Sequence, residues 1–186
     1  MARWDPGTEE RLTKAALELY AEHGYDNVTV TQIAERAGIT RRSYFRYFAD
    51  KREVLFAGSE RLPAAVHDAV LAADEAAAPL SAALSAVADA GTRLVEHVEN
   101  SATRRAVIAA SGELTERERT KLAAVTTAIY EALQCRHVEP RTAKLVSQVA
   151  TIAFQNAFDL WIDGQGSKDF TSCLRAVTDD LRDAGL

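Results

Sequence analysis

Apolar residues recur at helical spacing along nearly the whole chain, and this periodicity restricts the fold more than any other feature. Thr8–His23, for example, carries Leu12, Ala15, Ala16 and Leu19 on one predicted helix face. The alternating β-branched runs that indicate strands are missing from the sequence. The sequence therefore predicts an all-α fold.

Glycine, proline and capping residues divide this pattern into elements. Gly24 is a predicted helix end, and Thr29 with Gln32 forms a capping-box pattern. Asp50 is a predicted cap for a long helix from Lys51 that breaks before Pro63. The other predicted helices are Thr8–His23, Val30–Arg36, Arg41–Tyr47, two Ala-rich helices that meet near Ala78-Pro79, Ala102–Ala110, Leu114–Gln134, Arg141–Ile162 and Phe170–Arg182.

Composition excludes several classes of protein. The chain has 186 residues, of which 47% are hydrophobic and 26% charged, as in an ordinary globular protein. Its longest charge-free stretch in the C-terminal half, Leu145–Phe158, is too short and too polar to cross a bilayer. Cys135 and Cys173 are too few for a disulfide framework, and no secretory signal precedes Leu12. We expect a cytoplasmic protein without a membrane partner.

Positive charge is concentrated near the N-terminus of a chain with a net charge of −5. Residues 1–52 sum to +1, whereas residues 53–186 sum to −6. Within 36–52, the one acidic residue, Asp50, stands against Arg36, Arg41, Arg42, Arg46, Lys51 and Arg52. Such a cluster is a candidate contact surface for phosphates, although a solvated charged face explains it equally well.

Thr29–Phe48 has the pattern of a helix-turn-helix: a short helix, a turn with Gly38 and a second short helix. In such motifs the second helix enters the major groove, where arginine can bond guanine. We expect Phe45 and Phe48 to face the core. The predicted DNA-contacting residues are Thr29, Thr31, Thr40, Arg41, Arg42, Ser43, Tyr44, Arg46, Tyr47 and Lys51. Of these, Arg46, Tyr47 and Lys51 are assigned to phosphates; a surface pair of amphipathic helices is the alternative.

Thr29–Leu55 resembles the DNA-binding domain of the TetR family of regulators. The residues that carry the resemblance are Thr29-Val30, Ile33-Ala34, Ala37-Gly38-Ile39-Thr40, the aromatic run Phe45–Phe48 and Lys51. The resemblance implies a DNA-binding domain of three helices in residues 1–52 and a helical bundle in 53–186. It also implies a homodimeric repressor on a palindromic operator, released when a small effector binds the bundle. Many members have Tyr at the position of Phe45, so a hydroxyl that bonds phosphate is missing here.

Arg104–Trp161 bears a weaker resemblance to a branch that includes mycofactocin-associated regulators, some of whose relatives are linked to acyl-CoA-like ligands. This implies a small apolar or amphipathic effector, for which an acyl-CoA is one candidate. The predicted lining of its pocket is Leu84, Val87, Leu94, His97, Ile108, Val125, Ile129, Phe154, Asn156, Phe158 and Trp161. For each of these residues, simple core packing is the alternative.

Leu145–Phe158 is apolar on all sides as a helix, so it is predicted to be buried on all sides. Either the centre of one protomer or a second copy can bury it, and the amphipathic last helix could complete a four-helix contact. The predicted dimer contacts are Leu145, Val149, Ile152, Phe170, Leu174, Val177 and Leu181.

Motifs typical of enzymes are missing from the sequence: it has no G-x-S-x-G, H-E-x-x-H or P-loop pattern. Cys135 and His137 are two possible ligands without partners, which is weak evidence for a metal. No catalytic residue, metal or cofactor is predicted. The alternatives to a ligand-controlled regulator are an architectural or protein-binding helix-turn-helix protein and a helical-bundle enzyme.

Overall fold

The computed structural model describes residues 7–96 and 100–184 and is all-α in this part, which confirms the predicted fold class. Two short 3₁₀ helices, Glu53–Phe56 and Ser59–Arg61, lie between the third and fourth α-helices. Within the described ranges the α-helices are α1 Thr8–His23, α2 Val30–Arg36, α3 Arg41–Tyr44, α4 Leu62–Ala72, α5 Pro79–Val95, α6 Ser101–Ala109, α7 Gly112–Cys135, α8 Pro140–Asp163 and α9 Phe170–Asp183. His97, a predicted pocket residue, lies outside the described residues.

The local signals in the sequence set the ends of the first helices. Gly24 has a φ of 78°, and its N–H donates to the Tyr20 carbonyl at 2.9 Å to close α1. The predicted capping box is present, because the Gln32 N–H donates to Thr29 Oγ1 while the Thr29 N–H donates to Gln32 Oε1 at 2.8 Å. These bonds satisfy backbone donors that a helix start otherwise leaves unpaired.

The prediction of a long helix that begins at Lys51 is wrong. Asp50 does accept hydrogen bonds, from the backbone N–H groups of Arg52 (2.8 Å) and Glu53 (3.2 Å), but it caps a 3₁₀ helix. Gly58, with a φ of 76°, then ends the helical conformation. The next helix, α4, begins at Leu62 with Pro63 in its first turn, where the missing N–H costs nothing.

The described contacts divide the chain into two compact units. The first comprises Met1–Glu60 with Thr103–Arg119, and the second comprises Arg61–Ala102 with Thr120–Leu186. This division differs from the single boundary after residue 52 that we predicted, because part of the C-terminal half completes the N-terminal core. Ile108 lies in that core and is 3% exposed, so its predicted place in an effector pocket of the bundle is wrong.

Close packing of α5, α8 and α9 forms the core of the second unit. Gly91 in α5 faces the ring of Phe170 in α9, and a Cβ at Gly91 would lie 2.1 Å from Phe170 Cε1. Glycine is therefore required for the observed approach of these two helices. In the described part of the chain, no helix has both the length and the apolar character to cross a membrane.

The predicted dimer contacts fall into two groups. Phe170, Leu174 and Val177 are 1%, 5% and 8% exposed, because the apolar face of α9 packs inside its own protomer, where Leu181 is also partly buried. The prediction of Phe170, Leu174 and Val177 as dimer contacts is wrong for that reason, whereas that of Leu181 stays a prediction. Leu145, Val149 and Ile152 are 56%, 36% and 51% exposed, so α8 is not buried on all sides within one chain.

Candidate nucleic-acid interface

The turn between α2 and α3 positions the second helix of the motif. Gly38 has a φ of 73°, and the Ile39 N–H reaches back to the Ala34 carbonyl at 2.9 Å. Ile33 and Ala34 are fully buried against the core of the first unit, so α2 is fixed. The α3 helix therefore leaves a tight turn on a rigid support, as in a helix-turn-helix.

Thr40 begins α3 as predicted: its Oγ1 accepts the Ser43 N–H at 3.1 Å and lies 3.0 Å from Ser43 Oγ. The helix is shorter than predicted, because the N–H groups of Arg46 and Tyr47 form tighter bonds with the carbonyls three residues back. Arg41, Arg42, Phe45 and Arg46 are exposed along this segment. We name the group formed by Arg41, Arg42, Phe45 and Arg46 the recognition face.

Two of the clustered basic side chains are neutralised by acidic neighbours. Arg36 pairs with Glu18 and Glu22 at 3.4 and 3.2 Å, and its hydrogen bond lowers the pKa of the Glu22 carboxyl. Arg52 bonds Asp50 and lies 3.4 Å from Glu113, and the Asp50 hydrogen bond raises the pKa of its guanidinium. These two arginines hold elements of the first unit together.

Lys51 is also engaged inside the first unit. Its Nζ donates to the backbone carbonyls of Tyr25 and Val28 at 2.9 and 3.2 Å, and it lies 4.1 Å from the centre of the Tyr25 ring. These bonds give Lys51 a structural role, and for that reason we no longer expect its phosphate contact to be its main function. It fixes the connector between α1 and α2.

Three of the six clustered basic residues remain on the recognition face. Arg42 and Arg46 form no ion pair with any residue that the structure describes, and Arg41 lies over the Phe45 ring at 5.4 Å. The positive potential available to a phosphate backbone is therefore concentrated on α3 and the turn after it.

The predicted environments of Tyr44 and Phe45 are reversed in the structure: Tyr44 lies in the core and Phe45 at the surface. Tyr44 is fully buried and its hydroxyl donates to the Asp50 carbonyl at 3.0 Å, so it is not a DNA-contacting residue. Burial raises the pKa of the Tyr44 hydroxyl. Phe45, expected in the core, is 47% exposed, whereas Phe48 is buried as predicted. A core tyrosine is tolerated here because a backbone acceptor lies within reach of its hydroxyl.

The remaining predicted DNA contacts are still predictions. Thr31 is exposed, Tyr47 is half-buried, and the Thr29 hydroxyl is bonded to Gln32 Oε1 at 2.8 Å. Each lies in or next to the motif, and none is enclosed in the core.

The first unit also contains a partly buried cation, Arg104, that the sequence did not indicate. Arg104 Nε donates to the Leu55 carbonyl at 2.9 Å, and its guanidinium lies over the Phe56 ring at 5.2 Å. Burial lowers the pKa of Arg104, and Glu118 at 3.7 Å compensates in part. With the ion pair of Arg117 and Glu53, this contact ties α6 and the start of α7 to the 3₁₀ helix after the recognition face. No local motif predicts a contact between residues this far apart in sequence.

The predicted pocket residues lie mainly in the core of the second unit. Val87, Val125, Ile129 and Phe154 are buried there, and four others are partly buried against the same core: Leu84, Leu94, Phe158 and Trp161. Asn156 is exposed and donates to the Ile152 carbonyl at 2.9 Å, and its place as a polar pocket group stays a prediction.

Aromatic side chains form one cluster in this unit. The centre of the Phe158 ring lies 5.8 Å from that of Trp161 and 6.4 Å from that of Phe170. The ring centres of Phe154 and Phe170 are 5.6 Å apart. We name these four residues the aromatic cluster. Among the residues that the structure describes, no group of three His, Cys, Asp or Glu side chains lies close enough to bind a metal ion.

A helix-turn-helix whose second helix is exposed and rich in arginine is typical of DNA-binding proteins. Residues 12–57 match the family described as bacterial regulatory proteins, tetR family. This segment is similar to the DNA-binding domains of that family, as the sequence resemblance indicated.

Curated relatives agree with this assignment. A protein named as a mycofactocin biosynthesis transcriptional regulator, MftR of Mycobacterium tuberculosis, is 45% identical over 47 residues, which are 25% of this chain and 24% of the relative. TcmR of Streptomyces glaucescens, an HTH-type transcriptional regulator, is 47% identical over 47 residues, 25% of this chain and 21% of the relative. The chain thus spans about a quarter of the length of these relatives. Both are named as regulators rather than enzymes, in line with our prediction.

Solved structures share the fold over nearly the whole chain. NalD of Pseudomonas aeruginosa, described as the secondary repressor of the MexAB-OprM efflux pump, has a TM-score of 0.61 at 18% identity and covers 93% of both chains. FadR of Bacillus subtilis, solved with stearoyl-CoA, has a TM-score of 0.61 at 17% identity over 91% of this chain and 95% of its own. SmeT, solved with triclosan, has a TM-score of 0.60 at 20% identity over 94% of this chain and 91% of its own.

Proposed function

We propose that this protein is a transcriptional repressor that binds a palindromic operator as a homodimer and leaves it when a small apolar or amphipathic effector binds. The observation that carries the proposal is the recognition face: exposed arginines without acidic partners among the described residues, on α3 and the turn after it, in a segment that matches the tetR family. Arginine at this place can bond guanine edges and phosphates.

An exposed apolar stripe on α8 supports the homodimer. Leu145, Val149, Ile152 and Leu160 are 56%, 36%, 51% and 44% exposed, and their spacing keeps them on one side of the helix. We name these four residues the α8 stripe. A second copy can cover it with its own stripe around a two-fold axis. Two recognition helices about 34–36 Å apart would then enter successive major grooves.

The aromatic cluster supports an apolar effector. Phe158 and Trp161 are only partly buried, so a ligand could stack on them with little rearrangement of the core. Two proteins of the same fold hold compounds with apolar parts: triclosan in SmeT and stearoyl-CoA, which is amphipathic, in FadR. Stacking on these rings would recognise the apolar part of the ligand.

Selection of bound duplexes from a random DNA pool tests the function with the whole 186-residue chain. The expected result is enrichment of an inverted repeat whose half-sites lie about one helical turn apart. Enrichment of no sequence, or of a site without two-fold symmetry, would contradict the proposal.

The effector has its own test. Trp161 fluorescence, measured in a Trp4→Phe variant, should change on titration with triclosan or stearoyl-CoA, and the compound that binds should release the selected DNA. Binding without release would contradict the regulatory part of the proposal.

A further inference from the structure

Phe45 is an exposed aromatic ring in the middle of a cationic surface. It is 47% exposed, while its neighbour in sequence, Tyr44, is fully buried. Single exposed apolar residues are common, so exposure alone indicates nothing. The surroundings of this ring, however, are specific.

Two neighbours fix the ring of Phe45. The Arg41 guanidinium lies 5.4 Å from its centre, one helical turn away, and the Tyr44 ring meets it edge-on at 5.6 Å with an interplanar angle of 81°. A cation over a ring and an edge-to-face pair each restrain orientation. The ring is thus held at the surface with its outer side free among described residues.

Charge restricts what can cover this ring. Arg41 lies over it, and the exposed Arg42 and Arg46 lie within three residues of it in sequence, so a polyanion is favoured over an apolar protein surface. Phe45 has no group that can bond a phosphate oxygen, unlike a tyrosine. In the major groove, the apolar group on a base edge is the C5-methyl of thymine, which phenylalanine can contact.

We propose that Phe45 determines specificity by packing against a thymine methyl group in the operator. The inference rests on the proposed function, because it needs duplex DNA against α3. It adds that each half-site contains one thymine recognised through its methyl group rather than through a hydrogen bond.

The test replaces single thymines of the selected site with deoxyuridine, which removes the methyl group and leaves base pairing intact. At one position per half-site, the wild-type protein should lose about 4-fold in affinity, the value of one buried methyl group. Phe45→Ala should bind the unmodified site more weakly and show no further loss with deoxyuridine at that position. Phe45→Tyr, which keeps the ring, should retain the sensitivity.

Two controls separate the possible failures. Thermal unfolding should show that Phe45→Ala is folded, and its residual binding to the unmodified site gives the baseline for the comparison. Equal sensitivity of wild type and Phe45→Ala to every thymine replacement would overturn the inference while leaving the proposed function intact. Failure of the wild-type protein to select any duplex would overturn both.

Discussion

Individual contacts decide which basic residues are available to DNA. Counting charges in 36–52 suggests six cations, but three of them, Arg36, Lys51 and Arg52, are engaged within the first unit. Arg42 and Arg46 have no such acidic partner among the described residues. A residue's neighbours, rather than its type, therefore separate recognition from structural support.

Arg42→Ala should relax base preference at one position of each half-site, at a cost of about 1–3 kcal/mol in binding free energy. Arg36→Ala is the matched control, because Arg36 is paired with Glu18 and Glu22. Binding to a panel of single-base variants of the selected site measures both. If the two variants bound the panel with the same base preferences, Arg42 would not recognise a base.

Lys51→Met should destabilise the protein while leaving the salt dependence of DNA binding almost unchanged. The ammonium bonds two carbonyls of the connector, which methionine cannot do, and leaving buried acceptors unpaired costs about 1–3 kcal/mol. Arg46→Ala should do the reverse, with a smaller salt slope and little loss of stability. Urea unfolding and binding at several salt concentrations distinguish them. If Lys51→Met weakened the dependence of DNA affinity on salt concentration, Lys51 would contact a phosphate, as the sequence predicted.

The sequence could predict the motif but not the orientation of two adjacent aromatic residues. In a helix as short as α3, the apolar pattern does not decide between Tyr44 and Phe45, and the less polar residue is the natural choice for the core. The Asp50 carbonyl reverses that choice by accepting the Tyr44 hydroxyl. That carbonyl is positioned by tertiary structure, which the sequence pattern does not contain.

At the scale of elements, caps were predictable and packing was not. Thr29, Thr40 and Gly24 begin or end helices as expected, because capping acts between residues a few positions apart. The contact of Gly91 with Phe170 could not be predicted, since it joins helices far apart in sequence.

Gly91→Ala should lower the free energy of unfolding by about 1–3 kcal/mol, because the added methyl group would overlap the Phe170 ring. Gly112→Ala makes the same change at a helix start with no atom within 4 Å of the new Cβ, and it should be neutral or slightly stabilising. Chemical denaturation compares the two. A stable Gly91→Ala protein would show that α5 and α9 do not pack this closely.

Asp50 should make the first unit sensitive to acid. Hydrogen bonds from Arg52 lower the pKa of its carboxyl below the usual value near 4, so the stabilisation is present above that pH and is lost as the pH falls through the folded-state value. Asp50→Asn should therefore lose stability at pH 7 and show a smaller further loss between pH 7 and pH 3 than wild type. Asp26→Asn, on the exposed connector, is the control, and unfolding midpoints across this range measure the effect.

At the scale of the whole molecule, the first unit is discontinuous in sequence. Val107, Ile108 and Leu114 share a core with residues of α1 and α3, although the charge change after residue 52 suggested a simple boundary. A change in charge along the sequence can indicate a domain boundary. It does not show that a later segment packs into the core formed by an earlier one. The all-α class was predictable because it depends on local periodicity throughout.

Dimerisation through the α8 stripe links the proposed homodimer to the proposed binding of a palindromic operator. Ile152→Glu places a charge on a residue that is 51% exposed in the protomer, so its folding stability should change little. In an interface the same charge would be buried without a partner, which is strongly unfavourable. Sedimentation should therefore show monomers, and binding to an inverted repeat should fall while binding to a single half-site is kept. Ser85→Glu, on the exposed face of α5, should stay dimeric; dimers of Ile152→Glu would mean that the two recognition helices are paired through another surface.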